Sequence, residues 1–142
     1  MSATQAETPL DTVRLPGRLR VLVVDDEPDT VLMLLEILRD EGYDARGFSH
    51  PLEALKALSD YDPDVVISDI AMPLMSGWEL AKNVRQRMGK TRPMLVAISG
   101  VYRKAADKDL ATPAGYEFFL SKPCEPGLVL DIVGKARSAG GS

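Results

Sequence analysis

The stretch VLVVDD, residues 21–26, indicates the fold class of this chain. Its first four residues are aliphatic and mostly β-branched, which is typical of a short strand that is buried on both faces. Strands of this kind belong to parallel sheets, which are covered by helices on each side. Asp25 and Asp26 directly follow the apolar run, so acidic side chains stand where this predicted strand ends.

Strands and helices alternate about five times outward from this stretch, as a parallel sheet requires. Apolar runs predict further strands at 65–67, 94–98 and 118–120, and a weaker run predicts one at 44–48. Four stretches show apolar residues at helical spacing. The predicted helix faces are Val31, Leu34, Leu35 and Leu38; Leu52, Leu55 and Leu58; Leu80, Val84 and Met88; and Leu128, Ile132 and Val133. A further helix at 102–110 is expected from the alternation, although that stretch is polar and rich in alanine.

The length and composition are those of one globular domain. The chain has 142 residues, of which 45% are hydrophobic and 27% charged, as in ordinary soluble proteins. No apolar run approaches the roughly 20 residues of a membrane span, and the first residues lack the pattern of a secretion signal. We expect a flexible tail at 1–17, one domain at 18–137 and a flexible tail at 138–142. The predicted location is cytoplasmic, without membrane insertion.

Net charge and residue counts exclude several classes of function. The formal net charge is -4, which argues against direct contact with nucleic acid, because that contact needs clustered Lys and Arg. Cys124 is the single cysteine, so an internal disulfide and a cysteine zinc site are excluded. His50 is the single histidine, which excludes mechanisms that need two. We interpret His50 as a helix-start or surface residue. Cys124 is interpreted as a structural thiol, although a helix start there would favour a lowered pKa.

Polar side chains follow four of the predicted strands. Asp25 and Asp26 follow the first strand, Asp69 the third, Ser99 the fourth and Lys122 the fifth. Because ligands of open α/β sheets bind outside the carboxyl ends of the strands, we expect these side chains to converge on one site. The alternative for Asp25 and Asp26 is that they cap the following helix.

Three carboxylates at one edge of a sheet repel one another, by roughly 4 kcal/mol for two charges about 4 Å apart at an effective dielectric near 20. A proton, a lysine or a cation relieves this repulsion, and Mg²⁺ suits a set of carboxylates, waters and a phosphate. With the Lys122 ammonium and the Ser99 hydroxyl, the cluster is suited to carrying a phosphoryl group on an aspartate. Asp69 is the predicted nucleophile, and Asp25 and Asp26 are the predicted metal-holding pair.

These motifs resemble those of bacterial two-component response-regulator receiver domains. They are DDEP at 25–28, a D-x-x-M-P-x-x-x-G pattern at 69–77, Ser99-Gly100 and Lys122-Pro123. The resemblance covers about residues 18–137, and the ordered set is far more specific than any one motif. It implies an α/β, flavodoxin-like fold: a doubly wound five-stranded parallel sheet of order 2-1-3-4-5 with helices on both faces.

The resemblance also implies a role for each acidic residue. Asp69 is the implied phosphoacceptor, and it would receive the phosphoryl group from a phosphohistidine of a sensor histidine kinase or a histidine phosphotransfer protein. Asp26 and Asp69 would bind Mg²⁺ directly, together with the backbone carbonyl of Ala71. Asp25 would act mainly through a metal-bound water.

The remaining implied roles concern charge compensation and switching. Lys122 would pair with the phosphoryl oxygens, and its bond to Pro123 is cis in similar domains. Ser99 and Phe119 hold the implied switch positions, and Ser99 would move toward the phosphoryl group. Phe119 lacks the hydroxyl of the commoner tyrosine, so it would act by packing alone. The chain would catalyse only its own phosphorylation and dephosphorylation, so we do not expect a conventional enzyme.

Three functions are compatible with these features. The first is a stand-alone receiver in a phosphorelay, which signals to a downstream protein target through its surface. The second is the receiver portion of a hybrid histidine kinase or of a longer regulator. The third is a phosphohydrolase of the haloacid-dehalogenase kind. That class needs a D-x-D pair after the first strand, where this chain has Asp25-Asp26-Glu27, and a cap domain for which the chain leaves no room.

Overall fold

The computed structural model describes residues 18–89, 92–100 and 115–140. The strands are β1 (Arg20–Val24), β2 (Asp44–Phe48), β3 (Val65–Asp69), β4 (Met94–Ser99) and β5 (Phe118–Ser121). The helices in these segments are α1 (Pro28–Asp40), α2 (Pro51–Tyr61), α3 (Gly77–Met88) and α4 (Pro126–Gly140). No helix within the described segments is long and apolar enough to cross a membrane.

Three predictions concern the ends of the chain and the segment before β5. The predicted tail at 1–17 and the predicted helix at 102–110 lie outside the described residues. At the other end, α4 continues to Gly140, beyond the predicted domain end at residue 137. The bounds of this helix thus include residues 138–140, while the predicted division into a domain at 18–137 and a tail at 138–142 stays a prediction.

The five strands form one parallel sheet in the order β2-β1-β3-β4-β5. This order confirms the predicted doubly wound, flavodoxin-like topology. Val23 on β1 pairs with Gly47 on β2 and with Ile67 on β3, and Ile67 pairs in turn with Val96 on β4. β1 and β3 therefore occupy the interior of the sheet, and their residues are buried throughout.

Helices cover both faces of the sheet because alternate strand residues point to opposite sides. Val21, Val23 and Ile67 face α1 and α4. Leu22 and Val24 face the other way and pack with residues of α2 and α3. Each fully buried aliphatic side chain of this kind contributes about 1.5–3 kcal/mol through removal of apolar surface from water. The two layers hold the strand ends in fixed positions.

Two of the predicted helix faces need correction. Leu52 on α2 and Leu128 on α4 are about half exposed, at 47% and 49%. The residues that these helices bury include Ala54, Leu55, Leu58 and Tyr61 on α2, and Val129, Val133 and Ala136 on α4. The prediction was based on the spacing of leucines. It left out alanine and tyrosine, whose side chains also pack between these helices and the sheet.

The first turns of α1 and α2 are built alike. Glu27 and His50 hold the N-cap positions, and a proline follows each of them at the start of the helix. Proline suits this place because it needs no hydrogen-bond partner and its φ is already helical. His50 is thus the helix-start residue that the sequence predicts. Asp25 and Asp26 do not hold the cap of α1, so the alternative role for this pair is wrong.

Candidate functional site

Four neighbouring strand ends form the candidate site. Asp25 and Asp26 follow β1, Asp69 ends β3, Ser99 ends β4 and Lys122 follows β5. The ends of β4 and β5 are joined by a main-chain hydrogen bond, in which the Lys122 amide donates to the Ser99 carbonyl at 3.0 Å. The predicted site residues therefore meet at the carboxyl edge of the sheet, where ligands of this fold class bind.

Three carboxylates lie together at this edge. Asp25, Asp26 and Asp69 each place an oxygen within 4.8 Å of the others. Asp25 is 0% exposed and Asp69 is 4% exposed. A set of carboxylate oxygens at this spacing suits a hard divalent cation such as Mg²⁺, which binds through one or two carboxylates and keeps several waters. The donor set therefore fits the cation that the sequence predicts.

Lys122 supplies the positive charge next to this cluster. Its Nζ lies 2.8 Å from Asp25 Oδ2 and 3.5 Å from Asp69 Oδ2. A third carboxylate, Glu27, places Oε1 at 2.9 Å from the same nitrogen. The peptide bond between Lys122 and Pro123 is cis, as the resemblance implies, and so is that between Arg92 and Pro93. The Lys122 ammonium thus forms ion pairs with three carboxylates, those of Asp25, Glu27 and Asp69.

The two buried acids have perturbed proton affinities. Burial and the neighbouring charge of Asp25 raise the pKa of Asp69 to about 7. Burial also raises the pKa of Asp25, although the hydrogen bonds from Lys122 and from the Glu27 amide oppose this shift. Burial therefore disfavours the charged forms of both carboxylates, and a bound cation would stabilise those charged forms.

The lysine and its exposed partner shift in the directions expected for an ion pair. Partial burial works to lower the pKa of Lys122, but hydrogen bonds to Asp25 and Glu27 outweigh it, so the pKa is raised. The hydrogen bond from Lys122 lowers the pKa of Glu27. Lys122 is accordingly a permanent cation, which favours binding of an anion at this edge of the sheet.

Three further predicted residues lie around the acidic cluster. The Ala71 amide donates to Asp69 Oδ1 at 3.3 Å, while the metal-binding role of its carbonyl stays a prediction. Ser99 is fully buried at the end of β4. Phe119 pairs with Ala97 in the sheet and packs, partly buried, on the α2 and α3 side. The switching roles of Ser99 and Phe119 also stay predictions.

The loop between Asp69 and α3 is closely packed under the site. Ser76 and Glu79 form a reciprocal cap: Ser76 Oγ accepts from the Glu79 amide, and Glu79 Oε1 accepts from the Ser76 amide, each at 3.2 Å. A Cβ at Gly77 would lie 2.6 Å from the Asp69 carbonyl oxygen and 2.7 Å from Ile70 Cα. Glycine at the end of the D-x-x-M-P-x-x-x-G pattern therefore lets α3 approach the end of β3.

Sequence reasoning missed two residues of the site. Glu27 contacts Lys122 across 95 positions of sequence. Tyr116, 3% exposed, donates its hydroxyl to the Gly77 carbonyl at 2.8 Å and ties the start of β5 to the loop after Asp69. Glu27 belongs to the DDEP motif, which was the available signal, whereas nothing in the spacing of Tyr116 indicates its partner.

Cys124 is a buried thiol just beyond Lys122. Burial raises its pKa, so the lowered value that a helix start would favour is wrong. The structural interpretation of this cysteine fits its place in the apolar layer with α1 and α4.

Comparison with known proteins identifies the family. The model of the response regulator receiver domain matches residues 21–134. An uncharacterised 14.6 kDa protein of Leptolyngbya boryana is 36% identical over 118 residues, which are 82% of this chain and 88% of the relative. The DNA-binding response regulator MtrA of Mycolicibacterium smegmatis is 33% identical over 117 residues, which are 82% of this chain and 48% of MtrA. The chain thus spans about half of that longer relative.

A solved structure agrees in fold. The chemotaxis protein CheY4 of Vibrio cholerae superposes with a TM-score of 0.79 at 28% identity, over 84% of this chain and 99% of CheY4. The chain therefore belongs to the response regulator receiver domain family. Members of this family are signalling domains of two-component systems; they bind Mg²⁺ at an acidic pocket and interact with histidine kinases and downstream targets.

Proposed function

We propose that this chain is a phosphorelay receiver that accepts a phosphoryl group on Asp69 from a phosphohistidine. The observation that carries the proposal is the position of the Asp69 carboxylate, which lies 3.5 Å from the Lys122 ammonium and within 4.8 Å of two other aspartates. A carboxylate with a fixed cation and a cation-binding acid pair is equipped for nucleophilic attack on phosphorus.

The proposed step transfers one phosphoryl group between two side chains. An oxygen of Asp69 attacks phosphorus, the bond between phosphorus and the histidine nitrogen breaks, and that nitrogen keeps the electron pair. Asp25, Asp26, Asp69 and the Ala71 carbonyl would hold Mg²⁺, Asp25 mainly through a water. When bound, Mg²⁺ supplies positive charge to the phosphoryl oxygens. Lys122 neutralises a further part of the charge from the β5 side.

The proposed response follows from the new charge on Asp69. The Ser99 hydroxyl would donate to a phosphoryl oxygen, and the loop after β4 would follow it. Phe119 would then repack on the α2 and α3 side, because it has no hydroxyl with which to signal. A local charge event of this kind biases a two-state element of the surface.

The proposed partners are a sensor histidine kinase or a histidine phosphotransfer protein upstream, and a protein target downstream. The chain would act on itself rather than on a released substrate, and its site of action would be the cytoplasm. A receiver portion of a hybrid kinase or a longer regulator remains the second candidate, supported by the length of MtrA. The phosphohydrolase candidate is not supported, since the family matched is the receiver domain.

The test is a chemical one. The protein is incubated with Mg²⁺ and acetyl phosphate, and an acid-stable, hydroxylamine-labile adduct is sought by mass spectrometry. We expect the adduct in the native protein and its loss in Asp69→Asn. Asp60→Asn, which removes an exposed carboxylate from the far end of α2, is the matched control and should behave as the native protein does. An adduct that persists in Asp69→Asn, or that never forms, contradicts the proposal.

A further inference from the structure

Lys122 is closer to an exposed glutamate than to the proposed phosphoacceptor. Its Nζ lies 2.9 Å from Glu27 Oε1 and 3.5 Å from Asp69 Oδ2. Glu27 stands outside the acidic cluster formed by Asp25, Asp26 and Asp69. The side chain of Glu27 is 63% exposed, and that of Lys122 is 18% exposed. The ammonium is therefore shared with a carboxylate that the metal pocket does not use.

Glu27 is directed toward Lys122 by its own neighbours. Its amide donates to Asp25 Oδ1 at 2.9 Å, which fixes its backbone to the site. Its Oε1 accepts from the Thr30 hydroxyl at 3.2 Å, which orients the carboxylate from the first turn of α1. Although Glu27 holds the N-cap position, its side chain makes no capping bond to the helix. The carboxylate therefore contacts α1 through the Thr30 side chain, and no backbone cap of the helix depends on it.

We propose that Glu27 is a positioning residue that competes with the phosphoryl group for Lys122, and so limits how tightly the site holds that group. The inference rests on the proposed function of Asp69. A phosphoryl group on Asp69 adds negatively charged oxygens that need the ammonium, while the ion pair with Glu27 holds the ammonium elsewhere. An N–H group of Lys122 that donates a hydrogen bond to Glu27 cannot at the same time donate to a phosphoryl oxygen.

The test compares two variants that remove one negative charge from the same turn. Glu27→Gln keeps the shape of the side chain but removes the charge that faces Lys122. Asp29→Asn removes a charge from an exposed position two residues further along α1. The probe is beryllium trifluoride, a stable analogue of the phosphoryl group, titrated at saturating Mg²⁺. Trp78, the single tryptophan, lies in the first turn of α3 and reports binding by fluorescence.

Glu27→Gln should bind the analogue about two- to fivefold more tightly than the native protein, which is the range of a partly exposed ion pair. Asp29→Asn should stay within about twofold, because Asp29 is exposed and solvent screens its charge. Mg²⁺ alone, titrated in parallel, should bind Glu27→Gln equally or more weakly, since a negative charge is lost. Structural damage would lower both affinities, so a gain in affinity for the analogue without a gain for Mg²⁺ separates positioning from folding.

Three results overturn the inference. They are an unchanged or weakened affinity for the analogue in Glu27→Gln, an equal gain in Asp29→Asn, and a parallel gain in affinity for Mg²⁺. If the native protein does not bind the analogue at all, the proposed function fails and this inference fails with it. Native binding without a gain in Glu27→Gln overturns the inference alone.

Discussion

Asp69 and Asp25 place two carboxylates side by side where water reaches them poorly, at 4% and 0% exposure. Burial and the charge of Asp25 raise the pKa of Asp69 from 3.8 to about 7. The folded protein therefore binds a proton at Asp69 more tightly than the unfolded chain does. Without a bound cation, the two ionised carboxylates therefore lower the free energy of unfolding.

The pH dependence of stability should follow from this acid. Because its folded pKa is raised, the contribution of Asp69 to the free energy of unfolding is complete below 3.8 and is lost as the pH rises to about 7. In chelator at pH 8, we expect Asp69→Asn to be more stable than the native protein by about 1–3 kcal/mol. Urea denaturation of both proteins between pH 5 and 8 measures the difference.

Addition of Mg²⁺ at pH 8 should narrow this gap, because the cation stabilises the native acids and loses a ligand in the variant. Asp60→Asn serves again as the control and should follow the native curve. If stability depends on pH equally in the native protein and in Asp69→Asn, the ionised form of Asp69 is not destabilised by its surroundings, and the prediction is wrong.

At the scale of elements, the loop from β3 to α3 carries the site on a tightly packed turn. The Gly77 amide donates to the Ile70 carbonyl at 2.8 Å, and the Ser76–Glu79 cap starts α3 directly afterwards. Gly77 lies at the centre of these contacts, since a Cβ there would meet main-chain atoms at the end of β3. A larger side chain at Gly77 therefore has no space.

Gly77→Ala should destabilise the protein by about 2 kcal/mol or more, because the added methyl group would meet main-chain atoms that cannot move aside. It should also slow formation of the adduct on Asp69, whose carbonyl oxygen is the nearest atom. Thermal denaturation and the acetyl phosphate assay measure the two effects.

Gly127→Ala on α4 is the matched substitution. Among the described residues beyond its own turn of helix, a Cβ there would meet only Glu125 Oε1, at 3.7 Å. Alanine also favours a helix over glycine by roughly 0.5–1 kcal/mol. This variant should be as stable as the native protein or more so. Similar losses in both variants would contradict the role assigned to close packing at Gly77.

At the scale of the whole molecule, the two ends of the sheet have different tasks. The carboxyl end holds the acidic site, and the amino end holds a network around Tyr61. There Arg20 donates from Nη1 to the Tyr61 carbonyl at 2.6 Å, and Arg46 lies 4.7 Å from the centre of the Tyr61 ring. The Tyr61 hydroxyl donates to Asp44 Oδ1 at 2.8 Å. This network joins β1, β2 and α2 far from the proposed chemistry.

Two tyrosines allow the ends of the sheet to be compared. Tyr61→Phe and Tyr116→Phe each remove one buried or half-buried hydroxyl, and each should lower the free energy of unfolding by about 1–3 kcal/mol. Only Tyr116→Phe should also slow adduct formation, by about twofold or more, because its hydroxyl holds the loop that positions Asp69. Urea denaturation and the acetyl phosphate assay separate the two readouts. Slower adduct formation in Tyr61→Phe would refute this division.

Most of the fold and much of the candidate site could be predicted from the sequence. Strands of a parallel sheet are continuous apolar runs, and even the weak run at 44–48 matches β2. The site residues Asp25, Asp69 and Lys122 were found because the ends of parallel strands must lie together. Both inferences depend on local pattern and on one rule of topology.

The residues that were missed depend on distant contacts. Glu27 and Lys122 are 95 positions apart, and Tyr116 and Gly77 are 39 apart. A side chain at one position has no periodic signal for a partner at such a distance. The errors at Leu52 and Leu128 have a related cause, because the exact rotation of a helix against the sheet depends on its neighbours rather than on its own leucines.

The hydrogen bond from the Lys122 amide to the Ser99 carbonyl, 3.0 Å long, belongs to the main chain. The spacing between these two positions is therefore supported by a bond that neither side chain makes. A side chain of similar size could be exchanged while this bond is kept, whereas Ser99, at 0% exposure, leaves no room for a larger one. The ends of β4 and β5 thus offer a pre-spaced pair of attachment points for new catalytic groups, with a sheet buried on both faces as the support.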